Sequence, residues 1–218
     1  MRGAWKTCRS RRFRIAVLAV LIVILALIVI PVYRGRRQAR AVNQLEAVGA
    51  VAIYDYQVRG IVSGRIVAQS AKVRPWFLSK VLGVDACHTV VGVTFGGVHY
   101  TDDGRTAVDI NFDYSKVTDD MLAPLSDLPS VKQLYLSGCT AITDESMKHI
   151  TQLRKLERLL VHGTAITDEG ALQLMNMKDL KFVDLPNANV TREAADELKR
   201  ALPEASINWS KPPRKKSK

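Results

Sequence analysis

Residues 131–144 read Val131-Lys-Gln-Leu-Tyr-Leu-Ser-Gly-Cys-Thr-Ala-Ile-Thr-Asp144. The same pattern of apolar, small and acidic positions begins again at Ala107, Leu156 and Leu180, so the four copies start 24 or 25 residues apart. In each copy the last two apolar residues before the turn lie two positions apart, which is typical of a short strand with one buried face. A fixed period of this length predicts one repeat structure in the second half of the chain.

Each copy continues with the signals of a turn and a helix. A threonine follows the strand and turn every time, and this predicts a helix N-cap followed by acidic residues that interact favourably with the helix dipole. The small turn positions predicted to be buried are Ser115, Cys139, Thr164 and Ala188. The helix positions predicted to be buried are Leu122, Leu125, Leu128, Met147, Ile150, Leu153, Ala171, Leu174, Met177, Ala195, Leu198 and Leu202. We therefore predict stacked strand–turn–helix units around one continuous core.

The period and the apolar spacing are those of leucine-rich repeats. The predicted fold class is α/β, with a leucine-rich-repeat solenoid over residues 90–210 that forms a right-handed horseshoe segment with a parallel sheet on its concave side. The segment Val90–Phe95 has a strand pattern without a helix behind it, so we interpret it as part of a small N-terminal cap. At the other end, residues 206–209 begin a last strand, and Trp209 is predicted to close the core.

The N-terminal part of the chain contains an uncharged apolar run from Ile15 to Val32. Eighteen residues rise about 27 Å as a helix, close to the ~30 Å hydrocarbon core of a bilayer, so we predict a transmembrane helix over residues 15–33. The alternative is a cleaved signal peptide, because Ala39-Arg-Ala41 resembles a cleavage site. Six basic residues precede the run and four follow it, which favours a cytoplasmic N-terminus and an extracytoplasmic repeat domain.

These features divide the chain into five segments. They are a basic tail (1–14), the transmembrane helix (15–33), a juxtamembrane and capping region (34–89), the repeat domain (90–210) and a basic disordered tail (211–218). Within the capping region we predict a helix over 39–48 that ends at Gly49 and a strand over 51–56. The stretch 60–73 is a hairpin or a mobile loop, and residues 75–83 read as a short helix.

The net charge of +11 comes from the ends of the chain. Residues 1–40 contain ten basic and no acidic residues, and the last eight contain five basic ones, so the part between them is slightly acidic. A globular nucleic-acid-binding domain carries its positive charge on a folded face, so we expect no nucleic-acid partner. We expect the positively charged tails to set the membrane topology and to keep the protein soluble. The alternative is that they contact anionic lipid or an anionic polymer.

Catalytic, cofactor and metal motifs are weak or missing, and we do not expect an enzyme. Asp109-Ile-Asn111-Phe-Asp113 matches the opening of a calcium loop, but Tyr114 and Asp120 stand where that loop needs Gly and Glu. We expect an exposed acidic stripe there instead. Cys139 is predicted to be a packed free thiol, with a disulfide to Cys87 as the alternative.

The concave strand face is the most plausible place for function. Exposed aromatic side chains beside an arginine are typical of protein-binding hot spots. The alternative is that these side chains pack against each other or against a flanking loop. The candidate partner-binding residues are Asp109, Asn111, Gln133, Tyr135, Arg158, Leu160, His162, Phe182 and Asp184.

Two sequence motifs resemble those of a known family. Gly163-Thr-Ala-Ile-Thr-Asp-Glu-Gly170 and residues 139–144 resemble ribonuclease-inhibitor-like and cysteine-containing leucine-rich repeats. With the basic start, the apolar segment and the elements at 49–56 and 76–85, the layout over residues 40–210 resembles short membrane-anchored repeat proteins of planctomycete-type bacteria. Arg192 stands where the motif has an acidic residue, as expected of a terminal repeat.

The resemblance implies the repeat fold and leaves the activity open. We expect a membrane-anchored binding module for a protein partner. The alternative is a structural or envelope-associated scaffold without a discrete ligand site.

Overall fold

A computed structural model describes residues 3–55, 58–62, 65–68, 85, 88–95, 98–100, 106–108 and 112–210. In this part of the chain one long N-terminal helix leads into a mixed α/β structure, in which a six-stranded sheet is backed by short helices. The predicted helix over 75–83 and the basic tail 211–218 lie outside the described residues.

The long helix, α1, spans Gly3–Ala47 and includes Pro31. Its stretch from Phe13 to Ala47 is long and apolar enough to cross a membrane, and its most apolar window is not buried by the rest of the chain. The separate helix predicted over 39–48 is the end of the same helix. The last turns of α1 are part of the core, because Ala41, Val42 and Leu45 are buried. Gly49 follows the helix with a φ of 84°, which confirms the predicted end.

The strands are β1 (Ala50–Tyr54), β2 (Val58–Val62), β3 (Arg65–Ala68), β4 (Val90–Phe95), β5 (Val98–Tyr100), β6 (Thr106–Val108), β7 (Gln133–Tyr135), β8 (Arg158–Leu160), β9 (Phe182–Asp184) and β10 (Ser206–Asn208). The main sheet has the order β1-β4-β7-β8-β9-β10. Strands β4 to β10 of this sheet pair in parallel, and β1 pairs antiparallel with β4. The predicted parallel pairing of the strands at Leu134, Leu159 and Val183 is confirmed.

The remaining strands form two separate antiparallel pairs, β2 with β3 and β5 with β6. The first pair confirms the hairpin that was one of the two alternatives for the segment after Gly60. At the C-terminal end of the main sheet, the Trp209 indole N–H donates to the Val190 carbonyl at 2.8 Å, and the ring packs against the core. The predicted closing role of Trp209 is confirmed.

The helices behind the sheet are short. They are the 3₁₀ helices η1 (Tyr114–Lys116), η2 (Asp119–Asp127), η3 (Asp144–Ser146) and η4 (Leu174–Asn176), and the α-helices α2 (Met147–Ile150), α3 (Asp168–Gln173) and α4 (Arg192–Ala201). Thr143, Thr167 and Thr191 each accept a hydrogen bond from a backbone N–H of the following turn, so these three predicted N-caps are confirmed. Thr118 makes no such bond with its side chain.

The core contains every helix position that was predicted to be buried. Cys139, Thr164 and Ala188 are buried as well. The prediction for Ser115 is wrong, because this residue is exposed and its hydroxyl donates to the Asp113 carboxylate at 2.5 Å.

The position predicted for the strand of the first repeat is also wrong. Ala107 lies in β6, which pairs with β5 outside the main sheet, and β4 lies directly beside β7. The register places Val93 of β4 opposite Leu134 of β7, so Val90, Val93 and Phe95 occupy the core positions of the first unit. The predicted cap strand is therefore the first parallel strand of the sheet, and a long connection containing β5 and β6 separates it from its helix, η2.

Adjacent units are joined by a ladder of aspartate–threonine hydrogen bonds. The Asp119 carboxylate accepts from the backbone N–H and the hydroxyl of Thr143, at 2.9 and 2.6 Å. Asp144 binds Thr167 in the same way, at 2.8 and 2.6 Å, and Asp168 binds Thr191 at 2.7 and 2.8 Å. We call this set the Asp–Thr ladder. Each aspartate therefore links its unit to the next, in addition to lying in the first turn of its own helix.

Candidate functional surface on the sheet

The outward side of strands β7, β8 and β9 collects most of the candidate residues. Leu134, Leu159 and Val183 point into the core, so their neighbours on each strand point to the opposite side. The register aligns Gln133, Arg158 and Phe182 in one row and Tyr135, Leu160 and Asp184 in a second. We call these six residues the outer sheet face. Neighbouring strands lie about 4.8 Å apart, so the two rows form one compact surface.

Of the remaining candidates, His162 lies just beyond the end of β8, beside the second row. Asp109 and Asn111 lie outside the described residues. Asp113 caps η1, where its carboxylate accepts from the backbone N–H of Ser115. The hydrogen bond from the Ser115 hydroxyl, and after it those from Lys116 and from the Ser115 backbone N–H, hold the pKa of Asp113 below its ordinary value.

Arg158 and Phe182 form the centre of the first row. The Arg158 guanidinium lies 3.9 Å from the centroid of the Phe182 ring, which is a cation–π contact. The Nε atom of Arg158 is buried and has no hydrogen-bond partner among the described residues. The Arg158 and Phe182 side chains therefore pack against each other within the chain. The stack holds both side chains in one arrangement while each remains partly exposed.

Gln133, Tyr135 and Leu160 are less open to a partner. The Tyr135 hydroxyl donates to the Gln133 side-chain oxygen at 2.6 Å, and both residues take part in further interactions. Gln133 is 4 % exposed and Leu160 is 6 % exposed. The accessible part of the surface is therefore concentrated on Arg158, Phe182 and the polar group beside them.

That polar group is centred on Asp184. The Asp184 carboxylate lies 3.1 Å from Nδ1 of His162 and accepts a hydrogen bond from the Asn208 side-chain amide at 2.5 Å. The His162 side chain is 44 % exposed, whereas that of Asp184 is 14 % exposed. Asn208 was missed by the sequence reasoning, although the last strand was predicted. Its position opposite Asp184 in the β9–β10 register is the signal that could have identified it.

Apart from the outer sheet face, a depression lies at the C-terminal end of the described residues. It has a volume of about 280 Å³ and lies between α4 and β10. Its lining residues are Arg192, Ala195, Asp196, Lys199, Ile207 and Trp209. Arg192 and Asp196 form an ion pair across 3.7 Å, so the charges at its rim partly compensate each other.

The groups with potential reactivity lie elsewhere. Cys139 is a free and buried cysteine, so the alternative disulfide to Cys87, which lies outside the described residues, is wrong. Burial raises the pKa of the Cys139 thiol to about 12. His149 is partly buried, and its Nε2 has no hydrogen-bond partner in the described part of the chain. Burial and the neighbouring charge of Lys148 lower its pKa.

Metal ligands do not come together in the part of the chain that the structure describes, where no three His, Cys, Asp or Glu side chains are grouped as a metal site. The chain matches no protein-family model and shows no significant similarity to a curated protein.

Proposed function

We propose that this chain is a membrane-anchored leucine-rich-repeat binding module that presents the outer sheet face to a protein partner. The observation that carries the proposal is the partly exposed Arg158–Phe182 stack, with His162 and Asp184 beside it. Arginine and aromatic side chains dominate binding hot spots. Because the stack already holds both side chains in place, less side-chain freedom is lost when a partner binds.

The leucine-rich-repeat assignment is supported by the regular connections between units. Three parallel strands, β7 to β9, follow each other in the sheet at the sequence period of the repeats. The Asp–Thr ladder joins equivalent positions in successive units. Contacts that run mainly between neighbouring units are characteristic of solenoids.

The membrane anchor is supported by the exposed apolar length of α1. An uncleaved helix is favoured over a signal peptide, because cleavage after Ala41 would remove residues that bind the folded part. The side chain of Gln38 accepts from the Val90 N–H at 3.2 Å and donates to the His88 carbonyl at 2.8 Å, and Arg37 pairs with Asp127. The excess of basic residues before the apolar run supports a cytoplasmic N-terminus, with the repeat domain on the other side.

A structural scaffold without a discrete ligand site is the second candidate. It is favoured by the burial of Gln133 and Leu160, which shows that part of the outer sheet face is already covered within the chain. A catalytic role is the weakest candidate, because the high pKa of Cys139 keeps its thiol protonated and poorly nucleophilic.

The proposal is tested with the full-length chain in membranes, by cross-linking and affinity purification. Arg158→Ala combined with Phe182→Ala should weaken recovery of a cross-linked partner at least tenfold, since each hot-spot truncation typically costs more than about 1 kcal/mol. Arg158→Lys keeps the charge and loses the planar stack, so it should weaken binding as well. The matched control is Lys148→Ala combined with Gln152→Ala, two exposed residues on the helical side.

The melting temperature separates the two candidate functions. Lost recovery with an unchanged melting temperature supports the binding module. Unchanged recovery in the Arg158 and Phe182 variants contradicts it. A collapsed melting temperature shows that the stack holds the fold together, and the scaffold then becomes the better interpretation.

A further inference from the structure

The path of α1 through the domain shows which edge lies next to the membrane. Arg37 pairs with Asp127, the last residue of η2, and Gln38 binds the backbone N–H of Val90 at the start of β4. Twelve residues later, Gly49 lies against Phe112, in the segment that leads into η1 and η2. Between these points α1 runs from Arg37 to its end at Ala47, which at about 1.5 Å per residue is roughly 15 Å. It therefore leaves the domain at the edge where the parallel strands begin and the helices end.

We call this side the strand-start edge, and it comprises residues 127–132, 151–157, 174–181 and 199–206. The opposite edge, where strands end and helices begin, comprises residues 112–120, 136–146, 161–169 and 185–193. If α1 spans the bilayer as proposed above, the last residue of its apolar run, Val32, lies five residues before Arg37, or about 7.5 Å. The headgroup layer adds roughly 5–8 Å on each side of the hydrocarbon core. The strand-start edge is therefore at the level of the headgroups.

The two edges carry opposite charge. The strand-start edge contains seven basic and four acidic residues, whereas the opposite edge contains two basic and eight acidic residues. Two of the four acidic residues are already engaged, because Asp127 pairs with Arg37, and Glu157 binds Lys132 at 3.0 Å and Lys181 at 2.8 Å.

The basic side chains at this edge that remain accessible indicate what the edge can bind. Arg154 and Lys155 are exposed and form no salt bridge within the described part of the chain. Arg34 and Arg36, also exposed, lie on α1 between the apolar run and this edge. Basic clusters next to a membrane span are attracted to the negative surface of anionic lipids over about a Debye length.

We propose that the strand-start edge docks on the anionic phospholipid headgroups of the membrane that holds α1. Arg154 and Lys155 of the folded part bind the headgroups together with Arg34 and Arg36. The acidic opposite edge then faces away from the bilayer, so the domain has one fixed orientation. This inference rests on the proposed anchor and adds a second, electrostatic attachment to it.

The test places a fluorophore on either edge of the full-length chain in vesicles. Gln152→Cys labels the strand-start edge and Thr140→Cys the opposite edge; both residues are exposed and uncharged. Both variants also carry Cys8→Ser and Cys87→Ser, and the buried Cys139 is kept. The vesicles contain phosphatidylcholine alone or phosphatidylcholine with phosphatidylserine, each with a spin-labelled headgroup as quencher.

We expect the probe at residue 152 to be quenched several-fold more than the probe at residue 140. The difference should grow with phosphatidylserine and shrink with added salt. Arg154→Glu combined with Lys155→Glu should abolish the effect of phosphatidylserine. Lys116→Glu combined with Lys148→Glu, an equal change of charge at exposed residues away from the strand-start edge, should leave it intact.

Two results would overturn the proposal, and they are distinguishable. Equal quenching of the two probes, or quenching that is independent of phosphatidylserine and of the Arg154 and Lys155 substitutions, overturns the docking surface alone. Release of the unmodified chain from the vesicles by a carbonate wash overturns the anchor, and the docking surface with it.

Discussion

Gly49 shows how one residue can serve two structural requirements. Its φ of 84° lies in the left-handed region, which costs roughly 1–2 kcal/mol for a residue with a side chain. A Cβ atom at this position would also lie 2.2 Å from Cε2 of Phe112. The Phe112 ring in turn contacts Tyr114 edge-on, with 5.0 Å between the ring centroids. The glycine therefore ends α1 and also allows an aromatic side chain to pack against the turn.

Cys139 leads to a prediction that compares it with its equivalent, Thr164. The Thr164 hydroxyl donates to the Val161 carbonyl at 2.7 Å, and the matching carbonyl for residue 139 is that of Leu136. Cys139→Thr should therefore lower the free energy of unfolding by about 1 kcal/mol or less, measured by urea denaturation. Cys139→Arg should unfold the domain, because it buries an unpaired charge.

The reactivity of the thiol gives an independent check of its burial. Because burial raises the pKa of Cys139 to about 12, a bulky thiol reagent at pH 8 should modify this residue only after denaturant is added. Rapid modification of Cys139 in the native protein would contradict the prediction.

At the scale of the elements, the Asp–Thr ladder explains the recurring Thr-Asp dipeptide. Thr143 and Thr167 cap their own helices and also donate to the aspartate of the preceding unit. The last unit has Arg192 after its threonine, and within the described residues, which end at 210, no further helix follows that could be bound. The ladder therefore begins at Asp119 and ends at Thr191.

We predict that Asp144→Ala destabilises the domain by about 1–3 kcal/mol, measured by chemical denaturation. The substitution removes the acceptor for both the backbone N–H and the hydroxyl of Thr167. Glu145→Ala is the matched control, because Glu145 is exposed and makes only a surface ion pair with Lys148 at 3.5 Å. If the two substitutions lowered the free energy of unfolding equally, the Asp–Thr ladder would contribute nothing beyond the effect of a negative charge in the first turn of the helix.

The strand-start edge contains an ion pair with a predictable dependence on pH. Hydrogen bonds from Lys181 and then Lys132 hold the pKa of Glu157 below its ordinary value of 4.5. A lowered pKa in the folded state stabilises the protein above the unfolded pKa, and this stabilisation is lost as the pH falls through the folded value. Glu157→Gln should therefore cost about 0.5–1 kcal/mol at pH 7, because the pair is partly exposed.

The same substitution should cost progressively less as the pH falls through the folded-state pKa of Glu157, because the carboxylate then becomes protonated in both states. Denaturation curves at pH 7 and pH 3 measure the difference, with the exposed Glu204→Gln as control. A cost of Glu157→Gln that does not change with pH would rule out the ion pair as its cause.

At the scale of the whole molecule, α1 and the folded part are one structural unit. The buried residues Ala41, Val42 and Leu45 and the hydrogen bonds of Gln38 extend the folded part into the last turns of α1, within the segment 34–89 that was predicted as the juxtamembrane and capping region. Gln38 also donates to the Asp85 carboxylate at 3.1 Å, as does the Tyr54 hydroxyl at 2.7 Å. A soluble fragment therefore has to include this part of α1 to keep the domain intact.

We predict that a fragment of residues 34–218 is soluble and melts several degrees above a fragment of residues 41–218. The shorter fragment leaves the buried N–H of Val90 without the Gln38 acceptor, which costs about 1–3 kcal/mol. For a chain of this size, each kcal/mol shifts the melting temperature by about 2–4 °C.

Point substitutions separate this effect from helix length. In the longer fragment, Gln38→Ala should reproduce most of the loss, whereas Arg36→Ala, at an exposed position, should not. Identical melting temperatures for the two fragments would show that α1 contributes to the domain only from Ala41 onward.

The units from residue 131 onward were predictable from the sequence, because their strands, N-caps and buried positions follow from short-range periodicity. The period also indicated which residues share the outer sheet face. The first strand was not predictable, since Val90–Phe95 and the segment after Ala107 both fit the apolar pattern and only pairing with β7 distinguishes them. Three other features depend on contacts between residues far apart in the chain. They are the burial of Leu160 and Gln133, the choice of partner for each aspartate of the Asp–Thr ladder, and the packing of α1 against the core. Such contacts are decided by the tertiary structure. A local sequence pattern indicates whether a residue is apolar or charged, but it does not indicate which distant residue packs against it.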